Sequence, residues 1–138
     1  MREIDVKTIT AAVRDLCIKA NVYLGEDVKK AFFKAKERET SPIGREVFQK
    51  LIQNAEIAEK EEMPICQDTG MTVVFVELGQ DVALCGGNIT EAIHEGVRQG
   101  YQKGYLRKSV VEDPLLRKNT GDNTPAVIYY DFVPGDQI

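Results

Sequence analysis

PICQDTGMTVVFVEL, residues 64–78, is the stretch at which a helical part of the chain gives way to a part that contains strands. Pro64 disfavours helical geometry for the residue before it, so the preceding helix is expected to end there. Gly70 opens the apolar run Met71 to Leu78, which is typical of a buried strand. Residues 64–70 are therefore expected to form a helix-to-strand loop, where side chains can face a ligand.

Helical periodicity dominates the residues before this stretch. Apolar residues recur at helical spacing from Val6 to Ala20, and again from Val28 to Ala35 after a break at Gly25. Ser41-Pro42 combines a capping residue with a proline at the first helical position, which predicts a third helix that runs through Ala58. The first sixty residues are therefore expected to form a helical layer.

Strands and one further helix are expected after the loop. Besides the first strand, Val82 to Leu84 reads as a short extended piece and Ala126 to Val133 as a strand rich in Val, Ile and Tyr. Asn88 predicts the cap of a fourth helix, on which Gly96, Gly100 and Gly104 form a stripe without side chains. Another element is expected to pack closely on that stripe. The predicted fold class is α+β, with the N-terminal helical layer packed on a small sheet.

Length and composition exclude several classes of function. The 138 residues, 43% of them hydrophobic, can bury one ordinary core, which predicts a single domain. Basic residues are 18 against 22 acidic ones and gather in no segment, so nucleic acid is not expected as a partner. The longest apolar run is far shorter than the roughly 20 residues of a membrane span, and the chain start does not resemble a signal peptide. A cytoplasmic protein without a membrane partner is expected.

Taken alone, the polar residues of the loop and of its surroundings allow ordinary interpretations. Cys66 could be a buried thiol, and the carboxylate of Asp68 could close an Asx-turn that holds the loop. Arg107 could be a surface arginine after the fourth helix. The polar loop Asn119 to Pro125 reads as a connection between helix and strand, without a catalytic role.

Three motifs in one order carry a resemblance to a known family. They are Pro64-Ile65-Cys66-Gln67-Asp68-Thr69-Gly70, Leu106-Arg107-Lys108-Ser109-Val110, and Lys118-Asn119-Thr120-Gly121-Asp122-Asn123-Thr124-Pro125-Ala126. Together they resemble the N-terminal part of the iron–sulfur (class I) fumarate hydratases, in particular their alpha subunit. Tartrate dehydratase alpha subunits share the pattern, and the resemblance covers essentially the whole chain.

The resemblance implies a role for each of four residues. The cysteine that matches Cys66 is one of three thiolate ligands of a 4Fe-4S cluster, whose open iron acts as a Lewis acid on a substrate hydroxyl group. Gln67 and Asp68 are expected to contact the substrate, and Asp68 to handle the proton on the hydroxyl side. Arg107 is expected to bind a substrate carboxylate, since a guanidinium fork matches a planar carboxylate.

The resemblance further implies an activity and its partners. The activity is that of a hydro-lyase that hydrates fumarate to malate reversibly, with tartrate dehydration left open. The implied partners are a small dicarboxylic acid and a beta subunit or C-terminal domain of the same enzyme, and a homo-oligomer is expected. Residues 1–138 would be the N-terminal part of the alpha-subunit catalytic domain, incomplete relative to the family's full domain and inactive alone, with apolar surface left exposed. A stand-alone assembly module with a buried Cys66 is the alternative.

The remaining candidates are two cysteines and the single histidine. Cys85 precedes a helix N-terminus, a setting that lowers a thiol pKa, but the resemblance places the other two cluster ligands beyond Ile138. Cys17 lies on an apolar helical face and is expected to be packing. His94 shares the polar side of the fourth helix with Glu91 and Arg98, which favours a solvated side chain.

Overall fold

Four helices and four strands form the protein, as a computed structural model that describes residues 1–138. The elements in chain order are β1 (Arg2–Asp5), α1 (Val6–Val22), α2 (Glu26–Arg38), α3 (Pro42–Glu61), β2 (Val73–Gly79), β3 (Val82–Cys85), α4 (Ile89–Lys103) and β4 (Val127–Val133). The predicted α+β class is confirmed. All four helices and three of the strands lie where the sequence pattern placed them.

The strands pair as two parallel two-stranded sheets rather than as one small sheet. β1 pairs with β3, with Ile4 opposite Leu84, and β2 pairs with β4, with Phe75 opposite Tyr129. Strand β1 was not predicted. Its four residues include a single buried side chain, that of Ile4, so the segment has too little apolar alternation to be recognised before its partner is known.

Contacts along the chain define two compact units. One contains Met1–Ile18 together with Asp68–Ile138, and the other contains Lys19–Gln67. The first unit holds both sheets, most of α1 and all of α4. The second holds α2, α3 and the end of α1. The sequence-based expectation of a single domain stays a prediction.

In the first unit, α1 and α4 pack through the glycine stripe. A Cβ atom added at Gly96 would lie 2.7 Å from the Thr10 carbonyl oxygen, and one at Gly100 would lie 2.7 Å from the Cβ of Cys17. The Thr10 hydroxyl donates to the carbonyl oxygen of Ala92 at 2.9 Å, which links the Thr10 side chain of α1 to the backbone of α4 one turn before Gly96. The close packing expected from the stripe is therefore present. The buried core around it comprises Val6, Ile9, Val13, Cys17, Val76, Ala92, Ile93, Val97, Tyr101 and Leu106.

In the second unit, α2 and α3 form a helical pair. The Ser41 hydroxyl accepts a hydrogen bond from the Gly44 amide at 3.3 Å, which caps α3 as the sequence predicted. Phe32 and Phe48 contact each other across the pair with ring centroids 6.4 Å apart. The buried residues of this unit's longer helix are Ile52, Ala55 and Ala58.

Apolar surface is exposed on the first unit, as the sequence predicted. Phe75 is 77% exposed and stacks on Tyr129 with ring centroids 5.2 Å apart. Beside these strands runs a groove of about 690 Å³, lined by residues that include Ile4, Leu16 and Val74. None of the helices combines the length and the apolar character that crossing a bilayer requires.

Candidate active site

The first half of the loop, up to Gln67, belongs to the second unit. Helix α3 ends at Glu61, and Glu62 takes a left-handed backbone conformation with φ of 50°. The Ile65 amide donates to the Asn21 carbonyl oxygen at 2.9 Å, and the Asn54 side chain donates to the Ile65 carbonyl oxygen at 2.7 Å. These two bonds hold the backbone immediately before Cys66.

Cys66 and Gln67 are both exposed at the end of this anchored segment. The interpretation of Cys66 as a buried thiol is therefore wrong, and the assembly-module alternative loses the feature on which it depended. An exposed cysteine in a loop with a fixed backbone has the accessibility that a ligand or a nucleophile requires.

The second half of the loop, from Asp68, belongs to the first unit and is fixed by hydrogen bonds to α4 and to the segment after it. The buried Tyr101 hydroxyl donates to the Thr69 carbonyl oxygen at 2.8 Å. The Thr69 hydroxyl donates to the Arg107 carbonyl oxygen at 2.6 Å. Asp68 itself is exposed, next to these anchors.

Arg107 is presented by a short segment that turns away from α4. Tyr105 takes a left-handed conformation with φ of 52°, and the Leu106 amide donates to the Tyr101 carbonyl oxygen at 3.0 Å. The Leu106 side chain is only 4% exposed and packs in the core, which holds the segment in place. The side chain of the following residue, Arg107, is exposed. Exposure of Arg107 agrees with a surface arginine and with a carboxylate-binding one, while its backbone bond to Thr69 places it beside the loop.

Asn123 joins all three motifs from a fully buried position. Its Oδ1 accepts hydrogen bonds from the amides of Ser109 at 2.6 Å and Val110 at 3.0 Å, and its Nδ2 donates to the Gly70 carbonyl oxygen at 3.2 Å. Sequence reasoning missed this residue because the polar loop read as a connection only. The one signal for it was its place in a motif of the resemblance, since no local pattern predicts the burial of an asparagine in a polar loop.

Other residues of the third motif are also held by hydrogen bonds. The Asn119 side chain donates to the Lys108 carbonyl oxygen at 2.8 Å. Although burial of Asp122 opposes ionisation, hydrogen bonds from the Thr124 amide and hydroxyl outweigh it and lower the pKa of Asp122. Arg98 of α4 lies 3.8 Å from the same carboxylate. Asp122 is therefore a charged anchor of this loop.

Two buried groups next to the loop stay protonated. Burial raises the pKa of Tyr101, which keeps its hydroxyl as the donor to Thr69. Burial likewise raises the pKa of Cys17, although a hydrogen bond with Thr72 partly opposes this. A buried thiol with a raised pKa is a packing residue, as the sequence predicted.

Neither Cys85 nor His94 joins the candidate site. Cys85 is exposed at the end of β3. The His94 side chain is only 16% exposed and lies 4.0 Å from Glu91, so the expectation of a solvated histidine is wrong.

The residues of this chain do not by themselves fit a four-iron cluster. No group of three or more His, Cys, Asp or Glu side chains is arranged to hold a metal ion. One thiol, that of Cys66, is exposed in the candidate loop, whereas Cys17 is buried in the core between α1 and α4. A cluster with three thiolate ligands therefore needs residues other than those described.

Comparison with known proteins decides the family. The model of one protein family, described as Fumarate hydratase (Fumerase), matches residues 10–138. The chain belongs to the fumarate hydratase family. The resemblance seen in the three motifs is thereby confirmed, and the matched range includes each of them.

Several relatives of this member of the fumarate hydratase family are named as alpha subunits. The protein named "Putative L(+)-tartrate dehydratase subunit alpha" of Methanocaldococcus jannaschii is 37% identical over 124 residues, which are 86% of this chain and 43% of that protein. The L(+)-tartrate dehydratase subunit alpha of Escherichia coli is 29% identical over 132 residues, 94% of this chain and 43% of that protein. That of Shigella sonnei is 28% identical over the same length. The chain spans less than half the length of these relatives.

Proposed function

We propose that the chain is the N-terminal part of the alpha subunit of a cytoplasmic hydro-lyase that acts on a small dicarboxylic acid. One observation carries the proposal. The hydrogen bond from Thr69 to the Arg107 carbonyl oxygen joins the loop of Asp68 to the segment of Arg107, so the residues that carry a carboxylate and a guanidinium group lie on connected segments of one unit. A hydroxylated diacid needs partners of both kinds.

The chemistry assigned to these residues is simple. The Arg107 guanidinium binds one substrate carboxylate through paired hydrogen bonds. Asp68 handles the proton of the hydroxyl group that leaves or enters as water, and Gln67 contacts the substrate. Removal of water also requires a base for the carbon-bound proton, which we assign to the beta subunit or C-terminal domain.

Two substrates satisfy this description. Hydration of fumarate to malate is the activity implied by the three motifs, and the family description carries the same name. Dehydration of L(+)-tartrate is the second candidate, and the names of the alpha-subunit relatives favour it. Malate and L(+)-tartrate both present two carboxylates and at least one hydroxyl group to the same residues, whereas fumarate presents the two carboxylates and gains its hydroxyl group from water.

The cofactor proposal concerns Cys66 alone. We assign it as one thiolate ligand of an iron–sulfur cluster whose other ligands lie outside these 138 residues. The exposure of Cys66 and its anchored backbone support this assignment. Anaerobic reconstitution of the complete enzyme with iron and sulfide tests it: Cys66→Ala should lose the visible absorption that Cys85→Ala keeps. Equal absorption in both variants would contradict the assignment.

Activity is tested on the complete alpha and beta pair with malate, fumarate and L(+)-tartrate. Replacing Arg107 with Ala should raise KM by at least about tenfold, because one substrate carboxylate loses its partner. Lys108→Ala is the matched control, since it removes a neighbouring exposed charge and should leave KM within about twofold. Turnover of none of the three diacids would overturn the proposed function, as would an unchanged KM in Arg107→Ala.

A further inference from the structure

The side chain of Asn123 makes hydrogen bonds to the backbones of the two other motifs. One bond reaches Gly70, two residues after Asp68, and two bonds reach Ser109 and Val110, two and three residues after Arg107. The residue is 0% exposed, so its amide group depends on these partners for its hydrogen bonds in the folded chain.

The backbone conformation of Asn123 restricts which residue types can occupy the position. Its φ is 64°, in the left-handed region that asparagine, aspartate and glycine enter at the lowest cost. An asparagine here supplies both an acceptor for two amides and a donor for a carbonyl oxygen, which neither aspartate nor glycine can do together. Both the conformation and the hydrogen bonds therefore select asparagine.

We infer that Asn123 is a positioning residue that sets the spacing between Asp68 and Arg107, and with it the fit of the diacid. The inference rests on the proposed function. Asn123 acts through its bonds to the backbone that follows each of these two residues. The Thr69 bond to Arg107 is exposed, whereas the Asn123 bonds to Ser109 and Gly70 are partly buried and the bond to Val110 is buried.

Two substitutions distinguish the role of the Asn123 acceptor oxygen from that of its donor nitrogen. Asn123→Asp keeps an acceptor for the Ser109 and Val110 amides and tolerates the left-handed backbone, but the ionised carboxylate cannot donate to Gly70. Asn123→Gly keeps the backbone conformation and loses every bond. The first variant therefore releases only the Asp68 loop, and the second releases both segments.

Amide hydrogen exchange tests the connection in the full chain. In Asn123→Gly, the amides of Ser109 and Val110 should exchange roughly tenfold faster or more, because each loses a buried acceptor. In Asn123→Asp these two amides should keep their slow exchange. Fast exchange in the unmodified chain, or no change in Asn123→Gly, would overturn the inference.

Kinetics of the complete enzyme test the positioning role. Asn123→Asp should lower kcat/KM by about tenfold, mostly through KM for the diacid. Asn88→Asp is the matched control: Asn88 caps α4 by accepting from the Glu91 amide at 3.2 Å, a bond that aspartate also accepts. The control should keep kcat/KM within about twofold.

Combination with Arg107→Ala distinguishes positioning from general destabilisation. If Asn123 sets the spacing between Asp68 and Arg107, Asn123→Asp should raise KM much less when Arg107 is already absent, because no spacing to that guanidinium group is left to lose. Effects on KM that simply multiply would overturn the inference. If the unmodified enzyme turns over the diacid and Asn123→Asp has the same kcat/KM, the positioning role alone is overturned. If the unmodified enzyme turns over no diacid, the proposed function is overturned, and the positioning role with it.

Discussion

The hydroxyl group of Thr69 donates a hydrogen bond to the carbonyl oxygen of Arg107 at 2.6 Å. The two residues lie 38 positions apart. Thr69 follows Asp68, and both Asp68 and Arg107 have a proposed role in binding the substrate. Because the bond runs to a backbone atom, it fixes where the Arg107 segment lies without engaging the guanidinium group. Thr69 can therefore orient the site while Arg107 keeps its side chain for a ligand.

Replacing Thr69 with Val removes this hydroxyl at nearly constant volume. The free energy of unfolding should fall by only about 0.5–1.5 kcal/mol, since the bond is exposed and water can replace it. Diacid affinity of the complete enzyme should fall more than stability does, because the Arg107 segment loses its link to the loop. Urea unfolding and KM measurements give the two quantities. Thr8→Val, on the exposed face of α1, is the control, and an equal effect on KM in both variants would contradict the prediction.

A methyl group at Gly100 should destabilise the first unit. The added Cβ would lie 2.7 Å from the Cβ of Cys17 and 2.9 Å from the Arg14 carbonyl oxygen, so α1 and α4 would have to separate. Overpacking of this kind costs about 1–3 kcal/mol. Gly44→Ala is the control, because there the added methyl meets only the flexible Glu39 side chain, and helix propensity improves. Thermal unfolding that ranks the two variants in the opposite order would refute this.

The three thiols should differ in their rates of alkylation. Burial raises the pKa of Cys17 and keeps reagents away from it, whereas Cys66 and Cys85 are exposed. Iodoacetamide at pH 8, followed by peptide mass spectrometry, should therefore modify Cys66 and Cys85 first and Cys17 only on unfolding. Cys17 labelling as fast as Cys85 labelling in the folded chain would show that the α1 and α4 interface opens readily.

Alkaline pH should weaken the fold partly through Tyr101. Burial raises its pKa in the folded chain, so the folded state holds the phenol proton more tightly than the unfolded state. The resulting stabilisation is complete below the unfolded pKa of about 10 and is lost as the pH rises from there through the folded value. Tyr101→Phe lacks the titrating group. Urea unfolding between pH 8 and 11 should therefore show a flatter decline for Tyr101→Phe than for the unmodified chain, and parallel declines would contradict the assignment.

Local patterns predicted most of the secondary structure. The helical periodicity of α1, α2 and α3, the cap at Ser41 and the apolar runs of β2 and β4 are properties of neighbouring residues, which is why they could be recognised one segment at a time. The stripe of Gly96, Gly100 and Gly104 even predicted a close helix contact. Strand β1 escaped prediction because its pairing with β3 depends on residues about 80 positions away.

The candidate site was predicted less completely. Cys66, Gln67, Asp68 and Arg107 were named from motifs, and the structure places Asp68 and Arg107 in one unit. The sequence alone could not tell whether Cys66 is buried. In the folded chain the Ile65 backbone is held by Asn21 and Asn54, and Cys66 is exposed directly after it. His94 was misjudged for the same reason, since burial depends on neighbours from other elements.

The amino-acid sequence by itself determined the helices, the main strands and the family. The helices and strands depend on the periodicity of neighbouring residues, and the family is recognised from motifs of fixed spacing. Only the tertiary structure decided that Asn123 is buried and that one amide group joins segments 13 to 53 residues away. A buried hydrogen bond exists only when the chain has folded its donor and its acceptor together and excluded water from both. The same asparagine in an extended chain is one more polar residue in a loop.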